Sequence, residues 1–487
     1  MAYSMLESGL QALILCGPGN SFGNLLNTEK TPKCLALVAN RPMVYYSLDF
    51  SKRSGITDVT LITPPSALAP IKAALEKNPF LNSISLPKVL GPQDLLETMT
   101  TTDLLRLPEV QAYIQSNFLL LPCDLVCDIG ESLLEHWVLS GTRRTLDCQG
   151  SLCLYYKADV SVKDEILDLV AVASPKRTDI SSTSNHELSK LVISMGMDTI
   201  KSKMEKEKSF SFGRSFTEKH DNFRLLTGYR DAHLYFFPYW VKDLIRRQER
   251  LDSVKEDLIG FWAKSQWQQG LGEKLGIEAC LRQLDESQEV YCQDVSTSTH
   301  GISQNHLRGP GPIQHPMKIP PLLAYLQTES AQLTRRVDNP ALLLSTSLYL
   351  AKIDSKQDII FPAQPASFSH DQKISYPRGI SEWCSISKAD CLLASEVVVE
   401  KNCVIKETCI GPNSKICSGS QLTLCVILDN VAIGECCVLS GCIVGGRSLV
   451  GRRSVLEDCQ IQEGYTVPEE TDAKNEILKP LSTDILG

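Results

Sequence analysis

Between Leu393 and Val467, branched aliphatic residues recur in steps of six, six and five, and each set restarts 17 residues after the last. The anchors run Leu393, Val399, Ile405, then Ile410, Ile416, Leu422, then Ile427, Ile433, Leu439, then Val444, Val450, Leu456, and finally Ile461 and Val467. Small residues stand four positions after half of them: Cys403, Cys409, Ser414, Ser420, Cys437, Ser448 and Ser454. A helix repeats every 3.6 residues and a strand every 2, so neither gives this spacing. A three-sided coil does. Each side is a short strand, the aliphatic residue points inward, and the small residue lets the corner close; stacked coils of this kind form a solenoid.

The earlier part of the chain has a different rhythm. Residues 11–16 (QALILC) read as a buried strand, followed by the glycine-bearing turn Gly17-Pro18-Gly19-Asn20-Ser21-Phe22-Gly23. A helix is expected from Val44 to about Ser54, stopped by Gly55, then a strand Val59–Ile62, a helix Leu68–Glu76 and a strand Ser83–Val89. A further helix is expected around Asp103–Leu107, before the apolar strand Phe118–Pro122 that ends in Cys123-Asp124. This alternation predicts a mainly parallel, doubly wound sheet with its site at the strands' carboxyl ends. A strand from Asp231 to Phe236 enters a helix near Trp240–Gln248, and a strand and helix within 319–352 close the domain. Two polar stretches, near 174–220 and 286–318, read as an extended excursion and a disordered loop. The expected division is a nucleotidyltransferase-like domain over 1–352, a linker over 353–384, and a coil domain over 385–487.

Composition narrows the function. A formal net charge of -8 argues against a general nucleic-acid surface. The opening MAYSMLESGLQALILC has no basic leader pattern, and its apolar run is too short to span a membrane, so a cytosolic location with reduced thiols is expected for the 18 cysteines. Cys425, Cys442 and Cys459 lie 17 apart and should stack as a column of small side chains; no CxxC pair accompanies them to suggest a metal. No G-x-x-x-x-G-K-[ST] stretch occurs, so the chain is not itself a P-loop GTPase. No histidine follows His370, which removes the general base that hexapeptide acyltransferases commonly carry on their coil.

The 17-residue coil resembles the hexapeptide repeats of left-handed parallel β-helices, and an α/β domain followed by such a coil resembles the nucleotide-sugar pyrophosphorylases. That family opens with A-G-G-x-G-T-R-L, then P-K-x-L, then P-[LM]-[IV]. Here Cys16 stands at the alanine, Gly17 at the first glycine, Pro18 at the second, Gly19 at the x, Asn20 at the third glycine, Ser21 at the hydroxyl, Phe22 at the arginine and Gly23 at the leucine. Pro32-Lys33-Cys34-Leu35 and Pro42-Met43-Val44 keep the later motifs, and Asp124 matches the family's metal-binding aspartate. The reaction expels pyrophosphate and needs donors where negative charge develops; Pro18 has no N–H and Phe22 no charge, and losing one such contact costs on the order of 10²–10³ in rate. The family's GT[AS] stretch is reduced to Met99-Thr100-Thr101-Thr102-Asp103. Gly17, Gly19, Ser21, Lys33 and Asp124 are therefore expected to form a vestigial nucleotide-binding site, with no catalytic residue, no cofactor and no metal. Asp124 is expected to play a structural capping role. Asp231, a candidate second acid, precedes His233 where the family carries glycine, and the pair Arg452-Arg453 reads as a solvated face of one coil.

An architecture with a broken phosphate loop is also similar to the gamma-type subunits of eukaryotic translation initiation factor 2B. Leu119–Asp128 (LLLPCDLVCD), Asp231–Tyr235 (DAHLY) and Arg336–Leu350 carry that likeness. The resemblance implies a non-catalytic subunit of a guanine-nucleotide exchange factor, partnered with the epsilon and other subunits and with the GTPase initiation factor 2. The epsilon kind adds a helical-repeat domain; this sequence stops at Gly487, about twenty residues past the last anchor, so that domain is expected to be absent. The alternative is a working sugar-1-phosphate nucleotidyltransferase.

Overall fold

A computed structural model describes residues 9–480 except 28–30, 83, 85, 97, 143–149, 159–161, 163–164, 174–187, 210–213, 221, 283–318, 328–332, 354–367, 369 and 371. The loop expected at 286–318 lies outside the described residues.

The first domain is built on a nine-stranded sheet. Its order is Lys88–Leu90, Asp58–Ile62, Gln11–Leu15, Phe118–Pro122, Phe223–Phe237, Ser151–Lys157, Leu322–Gln327, Leu188–Gly196 and Asp168–Ala173. Only Phe223–Phe237 and Leu188–Gly196 run against the other seven, so the sheet is mainly parallel. Phe223–Phe237 also pairs with Asp168–Ala173, which folds the far half of the sheet back on itself. Apolar residues on both faces build two core clusters, one around Leu13, Leu120 and Trp262, the other around Ile14, Leu121 and Phe236. Burial on both faces is what the continuous apolar runs of the parallel strands require.

Local chemistry sets the helices. Met43–Arg53 starts after Pro42, buries Val44, Tyr46, Leu48 and Phe50, and is stopped by Gly55 at φ 69°, a conformation glycine adopts without strain. Thr101–Arg106 opens on a capping box in which Thr100 and Asp103 exchange hydrogen bonds. The eroded GT[AS] stretch thus serves as a helix cap. Within the stretch read as a polar excursion, Leu188–Gly196 is a sheet strand and Met197–Glu207 a helix. Pairing on both edges buries six of the strand's nine residues. In the stretch read as the strand Ser83–Val89, residues 83 and 85 lie outside the described residues and the described strand is Lys88–Leu90.

The coil consists of three parallel sheets whose strands pair with partners 17 residues on. All fourteen anchors are at most 1% exposed, so the aliphatic period is the core of a left-handed β-helix. Each corner is turned by a residue at positive φ: Glu396, Asn402 and Glu407 in one coil, Asn413, Gly419 and Leu424 in the next, continuing at the same interval to Gly464, Glu470 and Asn475. The small residue follows immediately and donates to the next coil, as Ser414 Oγ does to Leu428 O at 3.0 Å and Ser420 Oγ to Gly434 O at 2.7 Å. On the five-residue side that position falls three after the anchor, at Thr408, Cys425, Cys442 and Cys459. Cys409 is therefore not a corner residue: it faces the first domain, and its thiol donates to Ser347 O at 3.4 Å. At Gly445 the next coil lies too close for a side chain as the backbone stands; a Cβ there would lie 2.4 Å from Glu463 N. Ile374 and Ile380, in the stretch expected as a linker, already bridge to Leu393 and Val399. The described cysteines are all free thiols, and no described helix is long and apolar enough to cross a membrane.

One face of the coil docks on the first domain. Leu392, Cys409, Val426, Leu428 and Ile443 pack in one cluster with Phe22, Leu25, Leu26, Tyr46, Leu343 and Leu350. Asn40 Nδ2 donates to Ile410 O at 3.0 Å, and Lys352 pairs with Glu407 at 2.5 Å.

Candidate functional site

The turn after the first strand is short and tightly held. Gly19 sits at φ 82° and leads into a 3-10 turn over Asn20–Phe22. A Cβ at Gly19 would stand 2.7 Å from Lys33 Cβ, so the turn lies directly against the stem of the Lys33 side chain. Phe22, at the position of the family's arginine, is fully buried among residues of both domains. Behind it, Gly23, Leu25, Asn27 and Thr31 are fastened to the coil. Gly23 O accepts from Gln462 Nε2 at 3.1 Å, Leu25 O from Glu463 N at 2.9 Å, and the Glu463 carboxylate accepts from Asn27 N and Thr31 Oγ1, both at 2.8 Å. Arg447 pairs with the same carboxylate, which is 4% exposed.

Lys33 and Asp124 come together from 91 residues apart, with Lys33 Nζ donating to Asp124 Oδ2 at 2.6 Å. Pro32 starts the 3-10 turn Lys33–Leu35 that aims the lysine inward, and Asp124 follows the strand Phe118–Pro122. Sequence reasoning missed the third member. Arg336 donates from Nε to Asp124 Oδ1 and from a terminal nitrogen to Oδ2, both at 3.1 Å, a two-point fork on one carboxylate. It arrives on the strand Thr334–Arg336, which pairs antiparallel with Leu125–Cys127 so that Arg336 faces Leu125. Val337 N donates to Asp124 O at 2.8 Å and continues the attachment. Burial by itself would raise the Asp124 carboxyl, but Arg336 and Lys33 hold it well below the usual carboxylate range. Burial would lower the Lys33 ammonium, and the attraction of Asp124 outweighs that and raises it. Nothing in the local sequence marks Arg336, because its partner lies 212 residues earlier.

The network extends through Asp338. Arg336 approaches it at 3.8 Å, Arg230 pairs with it, and Ser21 Oγ donates to its backbone carbonyl. Arg230 also pairs with Glu165 at 3.3 Å, and Tyr156 Oη both donates to Glu165 and accepts from Arg336 N. Of the expected site residues, Lys33, Asp124 and Ser21 belong to this network, Gly19 abuts it, and Gly17 is exposed with open space about its Cα.

Asp231 is held in a separate cluster. Its oxygens accept from His233 N and Tyr235 Oη, both at 2.7 Å, and its own N–H donates to Asp168 Oδ2 at 2.9 Å. Lys255 neutralises Asp168 at 2.8 Å. Burial pushes the Asp231 carboxyl up to about 6, against the opposing pull of Lys255 and with help from Asp168. Arg452 and Arg453 pair with Glu469 and Glu470 on the following coil at 2.8 and 2.9 Å, all four side chains being exposed.

Residues 379–483 match the model of the GMPPB C-terminal domain, which covers the coil. Over 278 residues the chain is 28% identical to translation initiation factor eIF2B subunit gamma of Schizosaccharomyces pombe (strain 972 / ATCC 24843), a match that covers 56% of this chain. It spans 55% of that relative's own length. By sequence, the chain is similar to eIF2B subunit gamma over about half of its length, and its residues 379–483 are similar to the GMPPB C-terminal domain.

Proposed function

We propose that this chain is a non-catalytic subunit of a translation initiation factor 2B guanine-nucleotide exchange complex, acting in the cytosol on the GTPase initiation factor 2 together with an epsilon subunit. The observation that carries the reading is the state of the phosphate loop. A transferase needs this loop free to wrap a triphosphate with backbone donors and a cation. Here Pro18 supplies no donor, Phe22 is buried where the cation belongs, and Gly23, Leu25, Asn27 and Thr31 are bonded to the coil. A loop used as a domain fastening suits a scaffold. Nucleotide exchange works by binding one state of a GTPase better than another and requires no acid, base or nucleophile from the scaffold. The similarity to eIF2B subunit gamma supports the same assignment.

The second reading, a sugar-1-phosphate nucleotidyltransferase, is favoured by the retained Lys33 and Asp124 and by the GMPPB-type coil. A pulldown of the tagged chain from cytosolic extract, read by mass spectrometry, separates the two when run beside a pyrophosphate-release assay. Stoichiometric recovery of other exchange-factor subunits without sugar-nucleotide turnover is the expected result. A chain recovered alone or as a homo-oligomer that releases pyrophosphate from a nucleoside triphosphate and a sugar phosphate would overturn the scaffold reading.

A further inference from the structure

The likeness to the pyrophosphorylases implies a divalent cation on Asp124, and the residues around that carboxylate do not fit one. Mg²⁺ takes near-octahedral oxygen ligands at about 2.0–2.1 Å and keeps several waters, so it needs carboxylate oxygens that face open space. Both oxygens of Asp124 face cations instead, Lys33 at 2.6 Å and the Arg336 fork at 3.1 Å, and the residue is 2% exposed. The surrounding charges already cancel: Lys33, Arg230 and Arg336 against Asp124, Glu165 and Asp338. A divalent ion would leave two uncompensated positive charges in a buried network, where they interact far more strongly than in water. The other candidate acid cannot assist, because the oxygens of Asp231 accept from His233 and Tyr235. Among the described residues no group of three or more acidic, histidine or cysteine side chains is arranged to hold a metal.

We infer that the Arg336 guanidinium takes the position on Asp124 that a divalent cation would take, so that this carboxylate closes an internal latch and excludes metal. The latch does mechanical work in the fold. It ties the strand Thr334–Arg336, and through Val337 the approach to the helix Pro340–Lys352, onto the carboxyl end of the sheet. That helix packs in the cluster facing the coil, so the latch also braces the docking face. A guanidinium suits this role because it stays charged at any physiological pH and meets both carboxylate oxygens at once.

Manganese titration followed by electron paramagnetic resonance tests the inference on the full chain, with any subunits that co-purify. The unsubstituted protein is expected to show no Mn²⁺ site that Asp124→Asn removes. Arg336→Met keeps the length of the side chain and removes its charge; it is expected to bind Mn²⁺ at least about tenfold tighter than the parent, a difference of about 1.4 kcal/mol. Adding Asp124→Asn to that variant should abolish the gain. A parent that already binds Mn²⁺ through Asp124, or a folded Arg336→Met variant that gains nothing, overturns the inference. Should Arg336→Met fail to fold, Mn²⁺ broadening of the Leu125 and Val126 methyl resonances in the parent decides: unbroadened signals support the latch and broadened ones refute it. The measurement reads metal occupancy and not assembly, so the inference does not rest on the exchange-complex reading and either can fail alone.

Discussion

The coil and the domain it docks on are held together in opposite ways. In the coil each contact is repeated 17 residues later: Ile416 stacks on Ile433, Ile433 on Val450, and Val450 on Val467. In the first domain the decisive contacts occur once and join residues 91 and 212 positions apart. A repeated contact shares its load with its neighbours above and below, and stability adds up coil by coil. A single buried ion-pair network has no neighbour to share with. Removing one member leaves its partners charged and desolvated.

The sharpest way to break this comparison is at Asp124. Asp124→Ala strands Lys33 and Arg336, and a loss of about 3–5 kcal/mol is expected for one partner taken from a buried pair. The double variant Asp124→Asn/Arg336→Met should recover part of it, as read from urea midpoints. Recovery of nothing would mean that the charges are not coupled.

Within the coil, Ile433→Ala removes a fully buried anchor and should cost about 2–5 kcal/mol, with hydrogen exchange increasing first in the coils next to residue 433. A transition in which both domains melt together by every probe would argue against the coil-by-coil account.

Asp231 distinguishes the two domains by pH. Its folded carboxyl titrates near 6, above the ordinary unfolded value of about 3.9. A raised folded value means stability that is fully present below the unfolded pKa and lost as pH rises through the folded one. Stability should therefore decline between about pH 4 and 6, by at most about 1.4 kcal/mol per unit of pH. Asp231→Asn should flatten that window. Asp124 has the opposite sign, since its depressed carboxyl stabilises above the unfolded value and the benefit is lost only as pH falls below about 4.

A smaller effect is expected where the two domains meet. Glu463→Ala frees the part-buried Asn27 N and Thr31 Oγ1 and leaves Arg447 without its carboxylate, at a cost of about 1 kcal/mol, the lower end of the range for donors left unmet. Faster hydrogen exchange over residues 22–27, with the coil interior unchanged, would confirm the loop as a fastening. Arg452→Ala should change the melting temperature least of all, because both it and Glu469 are exposed and such pairs contribute little.

The two regions also differed in how far they could be read in advance. The coil was legible almost to the residue because its period is a property of neighbouring positions, and all fourteen anchors point inward. Cys409 departs from that reading because the five-residue side puts the corner at Thr408; only its burial is tertiary, since it lies on the face covered by the first domain. In the first domain the parallel half followed from alternating apolar runs. The strand Leu188–Gly196 did not, since its burial depends on partners that come from elsewhere in the chain. At the site, Lys33 and Asp124 were legible from motif position. Arg336, Asp338, Arg230 and Glu165 were not, because an ion pair between distant residues leaves no periodic trace.

By itself, the sequence determined the architecture: a strand-helix alternation that makes a sheet, a 17-residue period that makes a coil, and a phosphate loop without the donors its chemistry needs. Periodicity and turn chemistry act over a few residues, so one chain suffices to read them. Only the tertiary structure decided what became of that loop and of Asp124. The loop is bonded to the coil through Glu463, and the carboxylate is closed by an arginine that reaches it from the far end of the domain. Those outcomes depend on which distant side chains meet in a low-dielectric interior, where partnership sets the energy of a charge.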